Sequence, residues 1–169
     1  MAISQSEQEK LELEHEAARL FMRAYENLTG REIRHLWHNR PNKPDASCLL
    51  EGDRLDLEIA HLYGSEVEAM TLLGRDASEQ TLQALRELDA TSSSHERLLS
   101  ALNRILENKA KKRYQSERVW LVIRNMHHEW KAHDIEKAKH AIHVPNDHMF
   151  ESIWLVGDEK AQSGIVQLF

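Results

Sequence analysis

Pro44-Asp45-Ala46-Ser47-Cys48-Leu49-Leu50-Glu51-Gly52-Asp53-Arg54-Leu55-Asp56-Leu57-Glu58-Ile59-Ala60-His61 is the stretch that decides the fold. From Arg54 to His61 polar and apolar residues alternate, with Leu55, Leu57 and Ile59 on one face and Asp56, Glu58 and Ala60 on the other. Strict alternation over this length is the pattern of a half-buried strand. Gly52-Asp53 reads as a tight turn from Leu49-Leu50 into that strand, so the segment predicts a hairpin. Antiparallel pairing then brings the start of the first strand, near Asp45, toward the end of the second, near Glu58. Asp45, Asp56 and Glu58 are thereby candidates to surround one hard cation. Carboxylates crowded in a partly dry site repel one another unless a cation or hydrogen-bond donors offset the repulsion. Magnesium suits such a cluster, with manganese as its substitute. It takes oxygen ligands, keeps several waters, and is commonly held by one or two protein carboxylates plus substrate phosphate.

Outward from the hairpin, Leu13, Ala17, Leu20, Phe21 and Ala24 recur at helical spacing, so 6–28 is predicted as an amphipathic helix that Gly30 ends. The segment 31–38 continues as helix or strand, and Pro41-Asn42-Lys43-Pro44 interrupts regular structure. Downstream, Glu66 to Leu73 and Ser78 to Leu88 read as helices. A longer helix follows the serine run at 91–94, with Ser94 as its expected N-cap. Leu98, Leu102, Ile105 and Leu106 form its apolar stripe, which Lys109 continues. Val119-Trp120-Leu121-Val122-Ile123 and Ile153-Trp154-Leu155-Val156 are continuous apolar runs suited to strands covered on both faces. A helix expected over 135–142 joins them by a right-handed parallel crossover. Gly164 to Phe169 is expected to add an edge strand.

The 169 residues fit one domain, and 41% hydrophobic with 30% charged residues is the composition of an ordinary globular protein. The one cysteine, Cys48, excludes an internal disulfide framework, so a reducing compartment is expected. With no basic and apolar leader and no membrane-length apolar run, the expected location is cytoplasmic. A net charge of −6 opposes nonspecific adhesion to nucleic acid, although 31–40 and 109–118 are locally basic.

A helix, then a hairpin bearing Pro44-Asp45 and the acidic strand end at Glu58, then a helix and further apolar strands, resembles the PD-(D/E)XK nuclease superfamily. Lys109-Ala110-Lys111-Lys112-Arg113-Tyr114, leading into the strand at Val119, adds to the likeness. The resemblance implies a single α/β domain over 1–169 with a restriction-endonuclease-like mixed sheet flanked by helices. It also implies a magnesium-dependent phosphodiester hydrolase acting on DNA, with Asp45 and Glu58 as the metal carboxylates. Glu14, on the apolar flank of the first helix, matches the extra site carboxylate that some members carry there.

One departure is plain. The family usually has a lysine two residues after the strand carboxylate, and here that place is Ala60. Three readings stand side by side. The register shifts, so that Asp56 binds metal and Glu58 takes the lysine's place as base. Alternatively, the lysine has moved to the following helix as Lys109, where a buried cation needs an acidic partner. Otherwise catalysis is lost, and the fold serves as a module binding a protein or nucleic acid. The sequence also leaves room for a homodimer.

Competing readings of the same residues are structural. Asp45 suits a turn cap after proline, Asp56 and Glu58 suit a solvated strand face, and Lys109 suits a chain snorkelling to water. Histidines at 127, 128 and 133, at 140 and 143, and at 35 and 38 match no zinc spacing. His61 falls on the face opposite Glu58. Cys48 reads as a buried core thiol.

Overall fold

The computed structural model of the chain describes residues 3–40, 43–64, 78–80, 83, 86–87 and 93–169. The helix α1 (Gln5–Thr29) starts at a capping box in which the Ser4 side chain accepts from the Glu7 N–H and the Glu7 carboxylate accepts from the Ser4 N–H. Such a cap stabilises a helix by about 1 kcal/mol. Gly30, at φ 73°, closes the other end in the left-handed conformation.

Five strands follow in order as β1 (Ile33–His38), β2 (Ala46–Leu50), β3 (Asp53–Leu62), β4 (Val119–Asn125) and β5 (Ser152–Val156), with β6 (Ile165–Gln167) last. They form one six-stranded mixed sheet whose spatial order is their chain order. β1, β2 and β3 are antiparallel, β3, β4 and β5 run parallel, and β6 returns antiparallel at the far edge. The helix α2 (Ser94–Ala110) lies between β3 and β4 in sequence, and the short α3 (Ala132–Lys137) with a 3₁₀ turn at Lys139–Ala141 lies between β4 and β5.

The sheet has two cores because its strands alternate. On one face Ala17, Phe21 and Tyr25 of α1 pack on Leu55, Leu57, Ile59, Trp120 and Trp154. On the other, Leu98, Leu102 and Leu106 of α2 pack on Ala60, Leu62, Leu121, Ile123 and Leu155. β4 is buried along its whole length, which explains its unbroken apolar run. The chain is thus mixed α/β, with helices on both faces of the sheet.

Several boundaries differ from the sequence reading. The hairpin turn is Glu51-Gly52, not Gly52-Asp53, since Leu50 pairs with Asp53. Both turn residues have positive φ, 52° and 88°. That conformation matches the twist of the flanking strands, and glycine takes it without strain. The N-cap of α2 is Ser93, not Ser94, because its side chain accepts from the N–H of Glu96. The segment 31–38 is a strand from Ile33, with a bulge between Arg34 and Trp37 and His35 at φ 64°. This extra residue breaks the strand's alternation and hid its period. The helix expected over 135–142 starts three residues earlier and splits, its first turn held by Asp134 accepting from the Lys131 N–H. The helix expected over 66–73 lies outside the described residues, and of 78–88 the described residues 79, 80, 83, 86 and 87 are helical.

Candidate active site

The register of the hairpin places the candidate carboxylates. Ala46 pairs with Leu57, so Asp45 lies just before the first residue of β2, beside Glu58. Its Oδ2 accepts from the Ile59 N–H at 2.9 Å, extending the ladder just before β2 begins. Pro44 and Asn39 fix the approach, the Asn39 amide donating to the Pro44 carbonyl at 3.0 Å and to the Ser47 hydroxyl at 2.8 Å. Asp45 is therefore neither a turn cap nor solvated, being 6% exposed.

Glu58 is 3% exposed and faces α2. Its Oε2 accepts from the Lys109 ammonium at 3.3 Å and from the Tyr114 hydroxyl. Asp45 hydrogen-bonds to the same carboxyl group, so the two acids share a proton. Burial, then the bond to Glu58 and the negative charge there, push the Asp45 pKa up to about 8. Burial pushes Glu58 the other way from where it ends. Donation from Asp45, the Lys109 charge and the Tyr114 hydroxyl together outweigh it and hold Glu58 below the ordinary glutamate value. Tyr114, buried and bonded to a carboxylate, has its pKa raised and keeps its proton.

Glu14 reaches the same region from α1. It is 4% exposed, its Oε1 lies 3.8 Å from the Lys10 ammonium, and its Oε2 has no hydrogen-bond partner. Burial raises its pKa, Lys10 lowers it, and the Glu58 charge raises it further. An orphaned carboxylate oxygen buried within electrostatic reach of Glu58 and Lys109 is an arrangement that a cation would relieve.

Asp56 stands apart from this group in its bonding. Its oxygens accept from Ser47 at 2.5 Å, Ser116 at 2.6 Å and Arg54 at 2.9 Å. Burial raises its pKa, but these three donors outweigh burial and hold it below the ordinary value. Both carboxylate oxygens are thus engaged in ties between β2, β3 and the loop before β4.

Lys109 does not snorkel free of the site, since its side chain is 19% exposed and ends at Glu58. His61 lies on the α1 face, bonded to the main chain of Leu13, and burial with the nearby Arg124 charge pushes its pKa down to about 4. Cys48 is wholly buried, and desolvation with the neighbouring Asp56 pushes its thiol up to about 12, far from a reactive thiolate. Tyr114 escaped the sequence reading as a site residue. The one available signal was its place at the end of the basic run that begins with Lys109.

Asp45, Glu58 and Glu14 carry oxygen donors of the type that hard divalent cations take. They do not form a closed cage. Among the described residues no group of three or more histidine, cysteine, aspartate or glutamate side chains is gathered tightly enough to hold an ion by itself. Among the described residues, too, no helix is long and apolar enough to cross a membrane.

No family model, curated protein or solved structure matches the chain.

Proposed function

We propose that the chain is a metal-dependent phosphodiester hydrolase of the PD-(D/E)XK type, acting on DNA, with its lysine supplied by α2. The observation that carries this reading is the 3.3 Å contact between the Lys109 ammonium and Glu58 Oε2. It puts a cation beside the strand carboxylate although Ala60 occupies the usual position. Asp45 and Glu58, with Glu14 nearby, would hold magnesium or manganese. When bound, the metal supplies Lewis acidity toward a phosphodiester oxygen and a lowered pKa for attacking water. Asp45 must give up its proton for both carboxylates to serve as ligands. Lys109 holds Glu58 ionised and offers a donor to the water or to charge that builds on phosphorus. Tyr114 donates to the same Oε2 of Glu58 and helps fix its rotamer. Asp56 braces the hairpin, so the shifted register, with Asp56 as ligand and Glu58 as base, finds less support than the migrated lysine.

A second reading rests on the burial of Asp45 and Glu58 and on their shared proton, which leave the pair satisfied without any ion. Under it the fold is a catalytically silent module that binds a protein or nucleic acid. Plasmid nicking in magnesium or manganese separates the two. The native chain is expected to nick, while Asp45→Ala and Glu58→Ala, checked for folding by circular dichroism, are not. Equal activity in all three, or none in any, favours the module.

A further inference from the structure

On the face of the sheet that carries Glu58, α2 packs on the strands from β3 onward, and among the described residues no helix packs on β1 and β2 there. Trp37 pairs with Ser47 and Ser47 with Asp56, so these three share one rung, adjacent to the rung of Asp45 and Glu58. Arg34 and Arg54 both pair with Leu49 and stand on the same face. Trp37 is 38% exposed, an unusual exposure for a tryptophan on a strand. Its ring is braced by the Arg54 guanidinium 5.7 Å from the ring centroid. Arg54 is itself held by Asp56 at 2.9 Å and Ser47 at 3.3 Å, so the platform is fixed before any ligand arrives.

The charge on this face is one-sided. Its exposed charged strand residues, Arg34 and Arg54, are cationic, whereas its acids, Asp56 and Glu58, are buried. Arg34 also meets Glu26 at 3.5 Å, around the sheet edge. Arg40 and Lys43, both exposed, flank the connection that leads to Asp45. Neighbouring strands lie about 4.8 Å apart and adjacent rungs about 7 Å, so Trp37 and Glu58 are separated by roughly 12 Å at their Cα atoms. One bound strand can touch both.

We propose that Trp37, braced by Arg54, is a stacking platform for a base of a single-stranded nucleic acid, whose backbone then runs toward the Asp45–Glu58 pair. An exposed aromatic ring with cationic side chains along a groove is the usual means of holding single strands without reading sequence. The inference rests on the hydrolase reading for what happens to the strand, but not for its binding.

Fluorescence tests binding alone, because the other three tryptophans are 4%, 5% and 6% exposed and Trp37 is the accessible reporter. An oligothymidylate titrated into Asp45→Asn protein in EDTA is expected to quench emission, and Trp37→Phe to abolish the quench. Trp37→Ala, followed by anisotropy of a labelled oligonucleotide, is expected to bind roughly 5- to 100-fold more weakly, the usual worth of one stacked base. A quench that survives in Trp37→Phe, equal affinity in Trp37→Ala, or equal quenching by a duplex would overturn the platform. So would a quench that grows with protein concentration alone, which would assign the face to contact between copies. Strand binding through Trp37 without nicking by the native chain would remove the hydrolase and leave the platform. Nicking that needs Asp45 but ignores Trp37→Ala would do the reverse.

Discussion

Lys109, near the end of α2, places its ammonium 3.3 Å from Oε2 of Glu58 on β3, joining residues 51 apart in the chain. The contact does two things at once. It gives a mostly buried cation its acid, and under the proposed hydrolase reading it supplies the lysine that the position of Ala60 lacks. Lys109→Met is expected to lower nicking by about 10²- to 10³-fold while costing roughly 1.5–3 kcal/mol of stability. Lys109→Arg should recover part of the rate. Rates under excess enzyme, with urea melts of each variant, check both, and native rates in Lys109→Met would return the lysine to a structural role.

Asp45 makes stability depend on pH in an unusual direction. Its folded pKa of about 8 is far above that of an unfolded aspartate, so from about pH 4 to 8 the folded chain binds the extra proton. Stability therefore falls as pH rises through that window and levels off above it. Asp45→Asn keeps an acceptor for the Ile59 N–H and a donor for Glu58 without titrating. We expect it to match the native chain near pH 5 and to exceed it by a few kcal/mol near pH 9. Melts at the two pH values decide this, and parallel pH profiles for both chains would contradict it.

Tyr114 reports on the same pair through the Oε2 of Glu58 that Lys109 also meets. Removing its hydroxyl takes a donor from Glu58 that helps hold the carboxyl ionised. Tyr114→Phe withdraws that donor from the coupled pair, so it should raise the pH at which the pair gives up its proton, move the acid limb of the nicking profile upward, and cost about 1–3 kcal/mol. A rate profile that drops without moving along the pH axis would reduce Tyr114 to packing.

Asp56 separates the two registers that the sequence left open. With its oxygens bonded to Ser47, Ser116 and Arg54, Asp56→Asn should destabilise the fold by about 1–3 kcal/mol and leave the metal dependence of nicking unchanged. A large rise in the magnesium concentration required would mean that Asp56 is a ligand.

The sequence made the hairpin and its consequence legible because the alternation of Leu55, Leu57 and Ile59 sets which side chains share a face. Asp45 and Glu58 share a face for that reason, and the one-residue shift of the turn moves the position opposite Asp45 by two residues along that face, from Ala60 to Glu58. Lys109 could be named as a candidate because it extends the α2 stripe, but its partner could not be chosen without the packing of α2 on β3. Tyr114 and the Ser116 tie to Asp56 depend on a loop whose path no local period describes. β1 hid behind its bulge, and with it the exposure of Trp37.

We expect the Asp45–Glu58 pair to exchange its proton for a divalent cation. Calorimetric titration of magnesium or manganese at pH 7, in two buffers of different ionisation enthalpy, measures this directly. We expect saturable binding with release of about one proton per ion, since a carboxyl with a pKa near 8 is mostly protonated at that pH, and no such release in Asp45→Asn. Absence of binding, or equal binding and proton release in the Asn variant, would contradict it.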